Sequence, residues 1–479
     1  MNFTLSKSVL SGLSLVIALT GCAPSHEVGA PLQKQVPVNQ MTTALPTALK
    51  DGWPQSNWWQ GYHDAQLNDL ITRALANSPD MQIADQRIKL AEAQARMSKS
   101  ALGPELDLGG DIERQKMSAE GVMGPFATDE AGNTGPWYTN ATYGLTASWD
   151  LDLWGKNRDL VQARIGEVKA KIADAAQTRE VLASSVARLY WQWQTEAAVQ
   201  QVLEQIKKEQ QNIITYDTAM YQHGITNSAE GAENDINISK TDQQLTEVAG
   251  TMKEIEARLM ALTNSQSESL NLKVATLPTV ASQMPSQLGY DLLARRPDLQ
   301  EAHWYIEASL SEIDAAKAAF YPDLNIMAFL QQDALHMSDL FRHSAQQMGV
   351  TAGLTLPIFD SGRLNANLDI VSVESNLSIA QYNKAVVDAV NEVAKAASQV
   401  ETLQTKNQQQ MQVEKDAQRM VDLAQAKMKV GIIPGAKVSV AKLPALQERI
   451  ETLRLHGQWL DAGIQLTSAL GGGYHHTEQ

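Results

Sequence analysis

The sequence predicts a mainly α-helical protein built by tandem duplication, with four strands patterned for a membrane β-barrel. The first observation is a repeated stretch: within Leu70–Leu108 and within Leu292–Asn325 a Pro-Asp pair opens a helix rich in Ala, Glu and Gln that ends at a second proline. In each copy 25 residues separate the prolines, Pro79 from Pro104 and Pro297 from Pro322. The second observation is a pair of matched glycines, since Gly155 and Gly224 lie 69 residues apart, as do Gly362 and Gly431. Two matched intervals in the same order mark a duplication, and a duplication is settled before any fold is assigned. The third observation is that long runs without Pro or Gly, filled by Ala, Gln, Glu, Leu and Val, read as extended helices.

The chain has 479 residues and a formal net charge of −15. That charge disfavours nucleic acid, whose phosphates reward a basic face. A single cysteine excludes an intrachain disulfide and a cysteine-based zinc cluster.

Residues 1–21 carry Lys7, an apolar stretch Val9–Leu19 and small residues before Cys22, the pattern of a secretory signal. Leu19-Thr20-Gly21-Cys22 resembles a bacterial lipobox. The resemblance implies cleavage before Cys22 and lipid attachment there, and Ala23 in place of Asp implies the outer rather than the inner membrane. No other segment has the ~18 consecutive apolar residues of a membrane-spanning helix. If this chain crosses a bilayer, strands must do it.

Residues 22–57 lack periodicity and read as a lipidated N-terminal tether. Trp58-Trp59-Gln60-Gly61-Tyr62 leads into a helix from about Ala65 to Ala101, where Ser78-Pro79 either bends the helix or begins a second one. Glu105 to Glu113 then alternates, with Leu106, Leu108 and Ile112 on one face and Asp107 and Asp111 on the other. After the loop Ser118–Pro136 a second run places Tyr143, Leu145, Ala147, Trp149, Leu151 and Leu153 opposite Thr142, Thr146, Ser148, Asp150 and Asp152. The second copy repeats this with Leu324, Ile326, Ala328 and Leu330, where Met327 and Phe329 break the pattern, and with Val350, Ala352, Leu354, Leu356 and Ile358. Each run matches the roughly 9–11 residues of a tilted transmembrane strand. Four strands do not close a barrel, and open edges in lipid cost several kcal/mol per unpaired group, so membrane strands here require oligomerisation. A soluble hairpin in each half is the competing reading.

Each hairpin precedes a long helix, Lys156 to about Gln222 and Arg363 to about Val430, roughly 100 Å at 1.5 Å per residue. Apolar residues recur at three and four positions (Val161, Ile165, Val168, Ile172), suiting helix–helix packing. The chain turns near Gly224 and Gly431 and returns through helices at about Ala229–Thr263 and Val438–Leu470. This divides the mature chain into a first repeat, 58–263, a linker, 264–286, a second repeat, 287–470, and a disordered tail, 471–479.

Arg295-Arg296-Pro297-Asp298, followed by Ala315-Ala316-Lys317-Ala318-Ala319-Phe320-Tyr321-Pro322, resembles the second-repeat signature of the outer-membrane factors of tripartite efflux pumps. Trp58-Trp59 through Leu70-Ile71, with Ala74-Leu75 and Asn77, is similar to the first-repeat signature of their lipoprotein subclass, the TolC and OprM kind. His303 stands where that family usually has Glu, and Tyr62 and Ala65 replace a usual Phe and Pro. The resemblance implies a homotrimer whose protomers each give four strands to a 12-stranded barrel and whose hairpins form a periplasmic tunnel. It also implies a passive exit duct for drugs or dyes, working with a periplasmic adaptor and an inner-membrane transporter. Asp107, Asp111, Asp150 and Asp152 would then face the lumen.

By the same resemblance the turns containing Tyr221, Gly224, Met428 and Gly431 form the periplasmic tip that docks the adaptor. Relatives often carry acids shortly after the second glycine, but here Ile432–Val438 holds none. The matching stretch of the first half carries Glu230 and Glu233, one helical turn apart. These acids either line a constriction, paired with Lys437, or are merely solvated.

The chain has no Gly-x-Ser-x-Gly, P-loop, dinucleotide fingerprint or His-Glu-x-x-His, so neither an enzyme nor a cofactor is indicated. Its nine histidines are scattered, and no metal site is expected. Trp137, Trp149 and Trp154 near strand ends suit an interface girdle or core packing. A periplasmic adaptor lipoprotein is the alternative function. Adaptors, however, carry one helical hairpin within a lipoyl-like domain, whereas here two hairpins accompany duplicated strand pairs.

Overall fold

The computed structural model describes residues 32–34, 51–116, 118, 137–225, 228–266, 269–279, 285 and 289–475. The signal segment, Cys22, most of the tether, the loop after the first strand and residues 476–479 lie outside these. The described elements are α1 (Ala65–Asn77), α2 (Pro79–Ser100), β1 (Glu105–Lys116), β2 (Trp137–Leu151), α3 (Lys156–Gln222), α4 (Ser228–Leu262), α5 (Gly289–Arg295), α6 (Pro297–Ala318), β3 (Asp323–Ala334), β4 (Gln346–Thr355), α7 (Arg363–Lys429) and α8 (Gly435–Ala469).

Matched elements have equal lengths: 22 residues in α2 and α6, 67 in α3 and α7, 35 in α4 and α8. The halves differ between their strands, where 20 residues join β1 to β2 and 11 join β3 to β4. Pro79 begins a new helix rather than bending one. Ser78 is buried in an extended conformation, and its hydroxyl accepts from the Asp80 amide at 3.2 Å, satisfying a free first-turn donor.

Two compact units divide the chain, and α3 and α7 contribute residues to both. The first unit holds a four-stranded antiparallel sheet in the order β1-β2-β3-β4, together with parts of α2, α3, α6 and α7. Here Gly166, the one glycine inside α3, has a packing reason. A Cβ added to it would lie 3.0 Å from the Ala308 Cβ, so its absence lets α6 approach closely. Asp152, read from its alternation as a lumen residue, instead lies beyond the end of β2 and caps α3. Its carboxylate accepts from the Asn157 and Arg158 amides at 3.0 and 2.8 Å. Asp360 does the same for α7, accepting from the Leu364 amide at 2.9 Å. Leu153, Leu356 and Ile358 also lie past the strand ends.

The second unit has the larger core. Leu67, Leu70 and Ile71 of α1 pack with Leu182, Val186 and Tyr190 of α3, Ile255 and Leu259 of α4, and Leu460 and Ile464 of α8. Asp64 caps α1 through the Leu67 amide at 2.9 Å and accepts the Tyr190 hydroxyl at 2.8 Å. Part of the linker joins this core. Gln66 and Gln194 bond the backbone at Lys273 and Ala275 (2.7–3.0 Å), and Leu270, Leu272 and Leu277 pack beneath. Those side chains supply the partners a lone extended segment lacks.

The Arg-Arg-Pro-Asp motif closes the same unit. Buried Arg296 donates to the Ala469 carbonyl at 2.7 Å, to Glu392 at 2.9 Å and to Asp298 at 2.8 Å, tying α6, α7 and α8. Arg295 stacks over Trp53, 4.9 Å from the ring centroid. Beside them Gly471, Gly472 and Gly473 all have positive φ, and a Cβ on Gly472 would overlap Glu180. Glu180 on α3 is only 6% exposed and accepts the Trp58 indole N–H at 3.2 Å. Burial pushes its carboxyl up to about 7, against the smaller opposing effects of Trp58, Ser468 and Arg179.

A folded-state value above the unfolded one means that the folded protein holds this proton more tightly. The resulting stabilisation is present at acid pH and is lost as pH rises from about 4.5 through about 7. Glu180→Gln is therefore expected to leave the melting temperature unchanged at pH 5 and to raise it at pH 8. Thermal unfolding at the two pH values measures this, and an equal shift at both would place the ionisation elsewhere.

Candidate functional site

Two surfaces carry the candidate function, one in each unit. In the sheet, paired residues of neighbouring strands point the same way, so register decides each face. Leu106, Ala147, Ala328 and Val350 align across the four strands, as do Leu108, Leu145, Leu330 and Met348. Trp149, Ile326 and Ala352 align next, followed by Leu151, Leu324 and Leu354. The result is a continuous apolar face whose large side chains are exposed, Leu108 by 76% and Val350 by 76%. A patch of this breadth on a chain surface marks an interface or a membrane.

The opposite face is polar. Asp111 aligns with Thr142 and Asp333, and Asp150 with Asn325 and Gly353. Thr142 donates to Asp111 and Asn325 to Asp150. Met327 and Phe329, which break the alternation in sequence, belong to this face, and the Phe329 ring occupies the space a Gly349 Cβ would fill. Trp149 and Trp154 donate their indole N–H groups to the carbonyls of Leu102 (3.1 Å) and Pro322 (2.9 Å). Trp154 also stacks on Tyr321 at 4.9 Å, an amphipathic arrangement suited to a membrane–water boundary.

The second surface is formed by the helix turns. α3 ends with the Gly224 amide bonded to the Tyr221 carbonyl and the Ile225 amide to the Met220 carbonyl, both at 2.9 Å. α7 ends identically, through Gly431 to Met428 and Ile432 to Lys427, both at 2.9 Å. These are Schellman caps, and the glycines at φ +72° and +77° adopt the left-handed conformation that a Cβ penalises. Tyr221, Ile225, Met428, Val430 and Ile432 are exposed around the two turns, so the caps present apolar side chains to solvent.

Glu230 and Glu233 lie at the start of α4 and Lys437 at the start of α8, all exposed. Acids at a helix N-terminus also favour its dipole. Among the described residues no ion pair joins Lys437 to either glutamate. Ion pairs between the two hairpins lie further along the helices, where Lys442 of α8 meets Glu209 of α3 at 2.7 Å and Arg188 of α3 meets Asp461 of α8. Burial pushes the Glu209 carboxyl up, but hydrogen bonds from Lys442, Ser439 and Asn212 outweigh it and hold the carboxyl below its usual range. Nothing in the sequence pairs residues so far apart, so no pattern could have found them. An open groove of about 790 Å³ between α3, α7 and α8 is lined by Trp191, Lys395, Lys406 and Arg454 among others. Among the described residues there is no metal-binding cluster, and no helix is long and apolar enough to cross a membrane.

A family model described as outer membrane efflux protein matches residues 70–265 and again 288–472. The chain belongs to this family. It is 68% identical to the multidrug resistance outer membrane protein MdtQ of Escherichia coli O157:H7, over 96% of this chain and 97% of that one. It is 36% identical to MdtP of E. coli K12, over 99% and 98%. Among solved structures, the CmeC outer membrane channel of Campylobacter jejuni superposes with a TM-score of 0.81 at 20% identity, covering 96% of both chains. VceC of Vibrio cholerae gives 0.73 at 26% identity, covering 88% of this chain and 100% of that one. This efflux protein is thus an outer-membrane protein, and its sheet is the part patterned for lipid.

An arginine or lysine in place of Leu145 or Leu151 is expected to cost ~2–4 kcal/mol where the strand crosses the bilayer midplane. The same change at Thr146 on the polar face should leave assembly intact. Oligomer yield from outer-membrane extracts measures both, and equal tolerance at the two faces would overturn the assignment.

Proposed function

We propose that this chain is the exit duct of a multidrug efflux system, assembled as a homotrimer whose 12 strands form one barrel and whose hairpins form a periplasmic tunnel. The observation that carries this reading is the four-strand sheet with one apolar face and outer edges at β1 and β4 that no other described strand pairs. Those edges must be paired in a bilayer, and a second copy of the same chain pairs them without a new surface. Three copies close the ring. The polar face with Asp107, Asp111 and Asp150 then lines a water-filled lumen that favours cations mildly.

The chain supplies a passage, with energy from an inner-membrane transporter and a periplasmic adaptor between the two. The exposed apolar residues around Gly224 and Gly431 are where the adaptor docks. Drugs and dyes are the cargo. The mature chain begins at Cys22, which carries lipid and holds the tether at the outer membrane.

The deciding experiment pairs unheated gel mobility with planar-bilayer recording of the purified protein. A species of three chain masses that conducts ions supports the duct, and a non-conducting monomer would exclude it. Mass spectrometry of the mature N-terminus should find Cys22 acylated, whereas a free thiol there would remove the lipid anchor from the scheme.

The candidate gate has its own test. If Glu230 and Glu233 line the constriction, the Glu230→Gln, Glu233→Gln double variant will move the reversal potential in a salt gradient toward zero. Lys437→Ala will then raise open probability. Unchanged recordings would mean that these side chains are only solvated.

A further inference from the structure

The two hairpins match in length, and one ion pair in each occupies matching positions. Within the first hairpin Lys207 meets Asp242 at 2.6 Å, and within the second Glu414 meets Arg449 at 2.8 Å. Each of these residues lies 207 positions from its counterpart, and the charges are exchanged between the helices. The offset between the capping glycines Gly224 and Gly431 is the same. A shift of 207 therefore maps α3 onto α7 and α4 onto α8, position for position.

Inside one chain, one boundary between hairpins is already formed. α3 packs on α8 through Val199, Val202, Leu203 and Ile206 against Ile450, and Arg188–Asp461 and Glu209–Lys442 join them. By the same mapping α7, whose Lys395 borders the groove that Arg188 also lines, offers α4 of another copy the counterpart of the face that α3 offers α8. One chain has no second first-hairpin to place there.

We infer that α7 of one copy packs on α4 of the next, held by Lys395 to the neighbouring copy's Glu254 and by Arg419 to the neighbouring copy's Asp235. This rests on the trimeric reading above and specifies its contacts. Lys395 is the counterpart of Arg188, and Glu254 that of Asp461. Both are exposed, and neither makes an ion pair among the described residues of its own chain, so the charge of each is available to a neighbour.

The second contact relocates a charge. In the formed boundary Glu209 receives Lys442 from α8 and Asn212 from its own helix at 3.3 Å. The counterparts are Asp416, Asp235 and Arg419. A plain copy would set two aspartates face to face. The positive charge has instead moved onto the Asn212 counterpart, because Arg419 already bonds Asp416 at 3.0 Å. Its planar guanidinium has further donors for a second carboxylate, that of the neighbouring copy's Asp235.

The test uses the full-length protein in outer membranes. With Lys395→Cys and Glu254→Cys in the same chain, oxidation should convert the unheated oligomer into a covalent trimer that survives boiling without reductant. Arg419→Cys with Asp235→Cys should do the same, and each single cysteine should not. As a second readout, Lys395→Glu should lower the temperature at which the oligomer dissociates, and adding Glu254→Lys should restore it. An intact trimer with no cross-chain disulfide at either pair, and no restoration by the charge swap, would overturn this interface while leaving the trimer standing. A chain that runs as a monomer before heating would remove the trimeric reading itself, and the inference with it.

Discussion

The unpaired edges of one small sheet constrain the rest of this molecule. β1 and β4 each leave a row of backbone donors and acceptors with no partner strand among the described residues. In water such edges are tolerable, but in hydrocarbon each unmet group costs several kcal/mol. The side chains offer no escape, because the register gathers the large aliphatic residues onto one face and the carboxylates and amides onto the other. A membrane location and a single copy are incompatible demands. Family membership and the proposed ring are two sides of that conflict.

Duplication answers a related problem in the helices. A tunnel wall needs boundaries that all fit, and a repeated hairpin gives neighbouring boundaries the same geometry. Evolution of the two copies has then altered charge while preserving position, as Lys207–Asp242 and Glu414–Arg449 demonstrate. Exposed ion pairs contribute little individually to stability, roughly 0–1 kcal/mol. Their value lies in register and partner choice, since a helix slipped by one turn would leave several charges opposed. The apolar clusters around Ile450 and Tyr190 supply the cohesion.

The candidate sites were legible to different depths. The capping glycines were plain, because only a residue without Cβ is at ease at φ near +75°, and both turns took the same form. The strand faces were nearly as plain, and Met327 and Phe329 became intelligible once Gly349 opened space beside Phe329. Asp152 was misread because alternation continues past a strand end, and a carboxylate three residues before a glycine serves equally as a cap. Lys437, at the start of α8, belongs to the gate proposed above. Further along the same helix Lys442 and Asp461 meet Glu209 and Arg188 where α8 packs on α3, and that packing selects them.

Taken alone, the sequence determined what local rules govern: helix lengths, strand alternation, the turns at the glycines, and the twofold repeat. Each depends on residues a few positions apart, so propensity and periodicity suffice. The tertiary structure decided what depends on distant encounters. It placed β2 beside β3, wrapped the segment around Lys273 onto Gln66 and Gln194, buried Glu180 under the terminal glycines and matched Glu209 with Lys442. Partners separated by tens to hundreds of residues leave no periodic trace, because their meeting is set by how whole helices pack, and that geometry exists only once the chain has folded.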